Sequence, residues 1–164
     1  DIGVSYLGLN SDVQQHAYVL KRGETDIPMG IKKAFANANR TQDILLKQFK
    51  SGATGNIMLK AALEQAAKEG IKATIYTHPI GAHGHAAGPA IGMWDMQSGV
   101  PGAGEYPLFP NTAYSIELNA ETVIQEWDGK PLRIMLEEDA FFPNDSVGVQ
   151  YLDGRQTSII PIKP

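Results

Sequence analysis

The spacing of apolar positions changes period twice along the chain, from strand-like to helical and back. Residues 1–7 (DIGVSYL) alternate enough for a strand, GLNSD at 8–12 carries turn chemistry, and VQQHAYVL at 13–20 reads as a returning strand. Together these predict a hairpin. KRGETD then breaks the pattern. Between Ile27 and Phe49 the apolar residues Ile27, Ile31, Phe35, Ile44, Leu45 and Phe49 follow largely helical spacing, with Pro28 tolerated in the first turn. SGATG at 51–55 ends that helix and offers Thr54 as N-cap of a second one over 56–69, closed by Gly70. IKATIYT at 71–77 predicts a short strand, and the glycine-rich, histidine-bearing THPIGAHGHAAGP follows at 77–89. MQSGVPGAGEYPLFPN at 96–111 is loop. TAYSIELNAETVI at 112–124 predicts one bent strand and GKPLRIMLEEDAFFP at 129–143 another. VGVQYLDGRQTSIIPI at 147–162 predicts a terminal hairpin turned at Asp153-Gly154. Strands, then two helices, then strands imply an α+β fold with a curved, mostly antiparallel sheet.

Composition narrows the classes. A length of 164 residues with 43% hydrophobic and 20% charged residues suits one domain, here taken as 1–164, with a sizeable core. The net charge of −4 comes without any basic run, which argues against nucleic acid as a partner. No apolar stretch approaches the roughly 18–20 residues of a membrane span. The absence of cysteine excludes a disulfide framework and a thiolate zinc site. It suits the cytoplasm, with periplasmic or secreted locations left open. The chain begins without methionine, inside a strand pattern, so we expect an upstream portion that is absent here.

Three of the four histidines fall within residues 78–85. On a strand, His83 and His85 would share a face, a common way to present two metal ligands, but a cupin-like site needs a carboxylate soon after, and AAGPAIG supplies none before Asp95. A second arrangement draws on His78 with acids elsewhere. Asp1 and Asp12, eleven apart, can be brought together by a hairpin. Glu117 in YSIELN and Glu137 in RIMLEED are acids in apolar strands, costly to bury unless paired or metal-bound. Four carboxylates and an imidazole suit a pair of hard divalent cations about 3.5–4 Å apart. The structural alternatives are a charged first residue at Asp1, a turn residue at Asp12, and a solvated edge at Glu137 and Glu138. Trp94, Trp127 and Tyr114 read as core or pocket wall.

The ordered set Asp1, Asp12, His78, Glu117 and Glu137 resembles the five-ligand signature of the pita-bread metallopeptidases, which include Xaa-Pro aminopeptidase, prolidase and methionine aminopeptidase, with metal-free creatinase as a relative. DIGVSYLGLNSD resembles the family's Asp-x-Gly…Ser-Asp hairpin, and HPIGAHGH its His-x-Ile-Gly…His segment. LFPNTAYSIEL resembles its Pro-Gly-Met…Glu-Pro stretch, and RIMLEED its closing Arg-Ile-Glu-Asp-Asp strand.

The resemblance implies a partial C-terminal catalytic domain of pita-bread fold. In it Asp1 and Asp12 would hold one metal, His78 and Glu117 would complete a second site, and Asp12 and Glu137 would bridge. Glu117 would serve as general base and acid, and His85 would stabilise the tetrahedral intermediate. The implied cofactors are two divalent metal ions, Mn²⁺ first, with Co²⁺, Fe²⁺ or Zn²⁺ as alternatives. The implied reaction is hydrolysis of N-terminal peptide bonds by a hydroxide shared between the metals. A separation of twenty residues between Glu117 and Glu137 favours the Xaa-Pro aminopeptidase and prolidase branch. A peptide substrate and a homodimer go with it. His83 has no counterpart. The chain departs from the pattern at Asn111 (for Gly), Ala86 (for Glu), Leu118 (for Pro) and Val13-Gln14-Gln15, and its Arg133 precedes Glu137 by four residues rather than two. Two rival readings are a metal-free creatinase-like hydrolase and a catalytically silent peptide- or protein-binding module of the same fold.

Overall fold

A computed structural model describes residues 1–163. Strands β1 (Ile2–Tyr6) and β2 (Leu9–Val13) form an antiparallel hairpin with Ile2 opposite Val13 and Gly3 opposite Asp12. Its turn is Leu7-Gly8, with φ of +51° and +80°, the left-handed pair that matches the twist of the flanking strands. The expected turn at 8–12 and return strand at 13–20 are therefore corrected. Only Gly8 of that turn signal bends the chain, while Asn10 and Ser11 lie in β2 and bond across the hairpin to Ser5 and Val4. Residues Ala17–Val19 form a separate strand, β3.

Helices α1 (Met29–Leu46) and α2 (Gly55–Lys68) follow. Pro28 stands just outside α1 as its N-cap, with extended ψ of 143°, rather than inside the first turn. Thr54 caps α2, its hydroxyl accepting the Ile57 N–H at 3.3 Å. Gly70 (φ +72°) ends α2, and the Ile71 N–H reaches back to the Ala66 carbonyl at 2.9 Å, a Schellman closure.

The remaining strands are β4 (Lys72–Ile75), β5 (His78–Pro79), β6 (Thr112–Ser115), β7 (Leu118–Ile124), β8 (Lys130–Leu136), β9 (Asp139–Phe142), β10 (Gln150–Tyr151) and β11 (Ile160–Ile162). They pair as β4-β7-β8 and β5-β6-β9-β10. Each long strand expected at 112–124 and 129–143 is thus two. Yet β7 on β8 and β6 on β9 keep one register, as do β4 on β7 and β5 on β6, so the two sheets are one antiparallel surface interrupted at 76–77, 116–117 and 137–138.

The helices cover one side of this surface. Ile31, Phe35, Ile44 and Leu45 of α1 join Ile116, Leu118 and Leu136 in one buried core, and each such apolar side chain contributes about 1.5–3 kcal/mol by leaving water. Period-two alternation then sends the residues between them, Ser115, Glu117 and Glu137, to the opposite face.

The terminal segment does not fold back at Asp153-Gly154. β10 pairs with β9, and β11 runs parallel to β3. Arg155 diverts the chain onto α1, pairing with Asp43 at 2.7 Å and donating to the Asn39 carbonyl at 3.1 Å. No helix among the described residues is long and apolar enough to cross a membrane.

Candidate metal centre

The interruption of the sheet is where the acids gather. The register places His78 opposite Ser115 and Ser115 opposite Asp139, and the same register carried across the interruption sets Glu117 level with Glu137. β2 crosses this polar face. Gln14, just past its end, donates its N–H to the Glu137 carbonyl at 2.9 Å, and Asn10 within it donates its N–H to the Gly81 carbonyl at 2.8 Å. Asp12, between those two anchors, is carried over the site. One ligand atom from each of Asp12, His78 and Glu137 lies within 4.8 Å of the other two, the one such group among the described residues. Glu117 approaches the same imidazole, with Oε2 3.8 Å from His78 Nε2, while Glu137 Oε1 is 4.0 Å from it.

The orientation of His78 decides what that imidazole can do. Its Nδ1 lies 3.1 Å from the Pro79 carbonyl, which assigns the proton to Nδ1 as donor and leaves a lone pair on Nε2. That Nε2 is buried and has no hydrogen-bond partner. Burial, the largest effect, and the neighbouring His85 hold the imidazole below its ordinary pKa, so it is neutral, and its approaches to Glu117 and Glu137 are not ion pairs. The acids respond in the opposite direction. Burial first, then the charges of Glu137 and Asp12, push Glu117 up to about 8. Burial also lifts Glu137 to about 7, opposed by the Ser115 hydroxyl, which donates to Oε1 at 2.8 Å. Asp139 rises to about 6, again mainly through burial. The Lys and Arg ion pairs among the described residues go to Asp26, Glu69, Glu121 and Asp43, none of them in this cluster. Clustered carboxylates without a cationic side chain, around an unpartnered imidazole nitrogen, fit a hard divalent cation.

The residues expected from the sequence are distributed as follows. Asp12, His78, Glu137 and Glu117 come together. Asp1 is exposed and stands outside the trio, its Oδ2 accepting from the Gln14 side chain at 3.1 Å across the hairpin. His85 stacks on His78 with ring centroids 3.8 Å apart. His83 is an exposed loop residue whose carbonyl accepts the Gly81 N–H at 3.1 Å. The segment 81–85 is not a strand, so the shared face that a His83–His85 metal pair requires does not form. Glu138 points to the other side, accepting from the Gln156 N–H at 2.9 Å and the Gln15 side chain at 3.3 Å. The sequence reading missed Ser115, which orients Glu137, and Asp139, whose two oxygens take the Asp12 N–H at 3.2 Å. Strand alternation was the available signal, since Ser115 and Glu117 share a face, as do Glu137 and Asp139.

Solved structures with this arrangement of elements are available for comparison. An X-Pro aminopeptidase from Thermotoga maritima MSB8 superposes with a TM-score of 0.69 at 21% identity, over 98% of this chain and 40% of its own. The dipeptidase PepE from Mycobacterium ulcerans gives 0.70 at 20% identity, over 100% of this chain and 39% of its own. The chain has the pita-bread fold. The same pita-bread arrangement is matched, at a TM-score of 0.66 and 12% identity, by the N-terminal domain of the FACT complex subunit SPT16 from Cicer arietinum, over 97% of this chain and 36% of that one. The chain therefore spans about two fifths of the length of each of these three solved proteins. No protein-family model and no curated protein sequence matches it.

Proposed function

We propose that this chain is the C-terminal, metal-holding part of a dinuclear metal-dependent exopeptidase acting on N-terminal peptide bonds, of the Xaa-Pro aminopeptidase or prolidase kind. The observation that carries the proposal is the buried, unpartnered Nε2 of His78 among Asp12, Glu117 and Glu137. The solved peptidases of the same fold support it. Asp1 and Asp12 would hold one cation and His78 and Glu117 the other, with Asp12 and Glu137 shared. Divalent cations, Mn²⁺ first among Mn²⁺, Co²⁺, Fe²⁺ and Zn²⁺, supply an activated water and polarise the scissile carbonyl. Glu117, whose carboxylate lies beside the His78 imidazole, would take the proton of the attacking water and return it to the leaving amine. His85 lies over His78 on the exposed side and is placed to donate to the oxyanion of the tetrahedral intermediate.

One observation favours a second reading, a peptide- or protein-binding module of the same fold. Asp1 is engaged by Gln14 rather than by the trio. Metal content of the purified full-length protein, with assays on Xaa-Pro dipeptides and tripeptides, separates the two. The peptidase reading expects bound divalent metal and Mn²⁺-stimulated release of the N-terminal residue. Metal-free protein that cleaves none of these peptides with Mn²⁺ added contradicts it.

A further inference from the structure

Beside the acidic cluster lies a cavity of about 400 Å³, within the range of small-molecule sites. His78, His85 and Glu117 line it together with Tyr76, Met93 and Trp94. Met93 and Trp94 sit in the turn after the histidine segment, and that turn is fastened to the sheet at both ends. Before them, the Ile91 N–H donates to the Thr77 carbonyl at 2.9 Å. Gly92 follows at φ +79°, so close to the sheet that a Cβ would stand 2.1 Å from the Ile75 carbonyl oxygen. After them, the Gln97 side chain clasps the edge of β4. Its Oε1 accepts the Ile75 N–H at 2.9 Å, and its Nε2 donates to the Ile75 and Met93 carbonyls at 2.8 and 2.6 Å. Gln97 thus satisfies an edge residue as a neighbouring strand would.

This pinned turn holds two large apolar side chains in solvent, Trp94 at 75% exposure and Met93 at 41%, directly against a polar site. With the backbone of the turn already fixed, only these two side chains remain to be ordered when a ligand arrives.

We infer that the Met93–Trp94 wall, clamped by Gln97, is a preformed subsite for a large apolar side chain of the peptide, at a residue flanking the scissile bond. The inference rests on the peptidase reading and deepens it. The cavity is continuous with Glu117 and His85, so a peptide whose scissile bond lies at the cluster places a flanking side chain against Trp94 and Met93. Discrimination of an aliphatic or aromatic side chain from glycine by such a wall amounts to roughly ten- to hundredfold in kcat/KM.

The test uses the full-length protein and two peptide series: Xaa-Pro peptides whose N-terminal residue is changed from Gly to Leu to Phe, and peptides of fixed N-terminal residue whose residue after the bond is Pro, Gly, Leu or Phe. At one of the two positions, the wild type prefers Leu and Phe over Gly. Trp94→Ala lowers kcat/KM for the Leu and Phe peptides roughly tenfold more than for the Gly peptide, chiefly through KM. Trp94→Phe restores most of the preference, and Gln97→Ala weakens it. Equal losses on all peptides, or no preference at either position, overturn the inference while leaving the peptidase reading intact. If the wild type cleaves no peptide, the peptidase reading fails, and calorimetry with leucinamide and glycinamide decides the subsite. Tighter binding of leucinamide, lost in Trp94→Ala, supports it; equal binding of the two overturns it.

Discussion

The Pro79 carbonyl accepts the Nδ1–H of His78 and burial keeps the ring neutral, so under the proposed reading Nε2 is ready for a cation before one arrives. Ser115 does the equivalent for Glu137 through a 2.8 Å hydrogen bond in a buried setting. Partners of this kind are worth roughly ten- to hundredfold in metal affinity. We therefore expect Ser115→Ala to weaken Mn²⁺ binding by about that factor and Ser115→Thr to retain it, both read by calorimetric titration. The same residues set a pH dependence. The metal-free fold raises Glu117 to about 8 and Glu137 to about 7 from an ordinary 4.5. It therefore binds protons that the unfolded chain has released, and their stabilisation is lost as pH rises through those values. His78, held below 6.5, acts in the opposite sense until the unfolded chain's imidazole has lost its proton, about one pH unit above 6.5. From about pH 7.5 to about 8.5 only the glutamate effect remains. Melting temperatures of chelator-treated protein are expected to fall across that window. A flat or rising profile would count against the buried acid cluster.

The hairpin that delivers Asp12 turns through Leu7 at φ +51°, a conformation that costs a non-glycine L-residue roughly 1–2 kcal/mol. Leu7 is 85% exposed and packs on little. Leu7→Asn gives the Asn-Gly pair that such turns prefer, and thermal denaturation should show a gain of roughly 1 kcal/mol; a lower melting temperature would contradict the turn assignment. Element by element, the helices were legible because Thr54 and Gly70 mark the limits of α2 chemically. Asn111 was legible as a stand-in for glycine, and it sits at φ +62° with its N–H on the Phe142 carbonyl at 2.8 Å. Glu137 was preferred to Glu138 on the family resemblance alone; alternation gives a physical reason, because Leu132, Ile134 and Leu136 point to the core, which sends Glu137 to the other face. The interruption of the sheet was not legible. Tyr114, Ile116 and Leu118 alternate straight through it, so no change of period marks the place. The terminal turn was misread because Asp-Gly signals a bend but not its destination, which Arg155 sets by pairing with Asp43 on α1.

Across the whole molecule, the two helices and the apolar face of the sheet form the core, and the chemistry lies on the face they leave open. Two backbone hydrogen bonds, from Asn10 to Gly81 and from Gln14 to Glu137, bind the hairpin over that face and bring Asp12 to residues more than sixty positions away. The fold alone does not choose a function, because a peptidase and a FACT complex subunit share it. The choice rests on whether the trio of Asp12, His78 and Glu137 holds a divalent cation. The most direct measurement is calorimetric titration of Mn²⁺ into metal-free full-length protein, wild type beside His78→Ala and Glu138→Gln. The account predicts saturable binding to the wild type and to Glu138→Gln, weakened about a hundredfold or more in His78→Ala, beyond the loss from removing an outer partner. Binding that is absent from the wild type, or unchanged in His78→Ala, would contradict it.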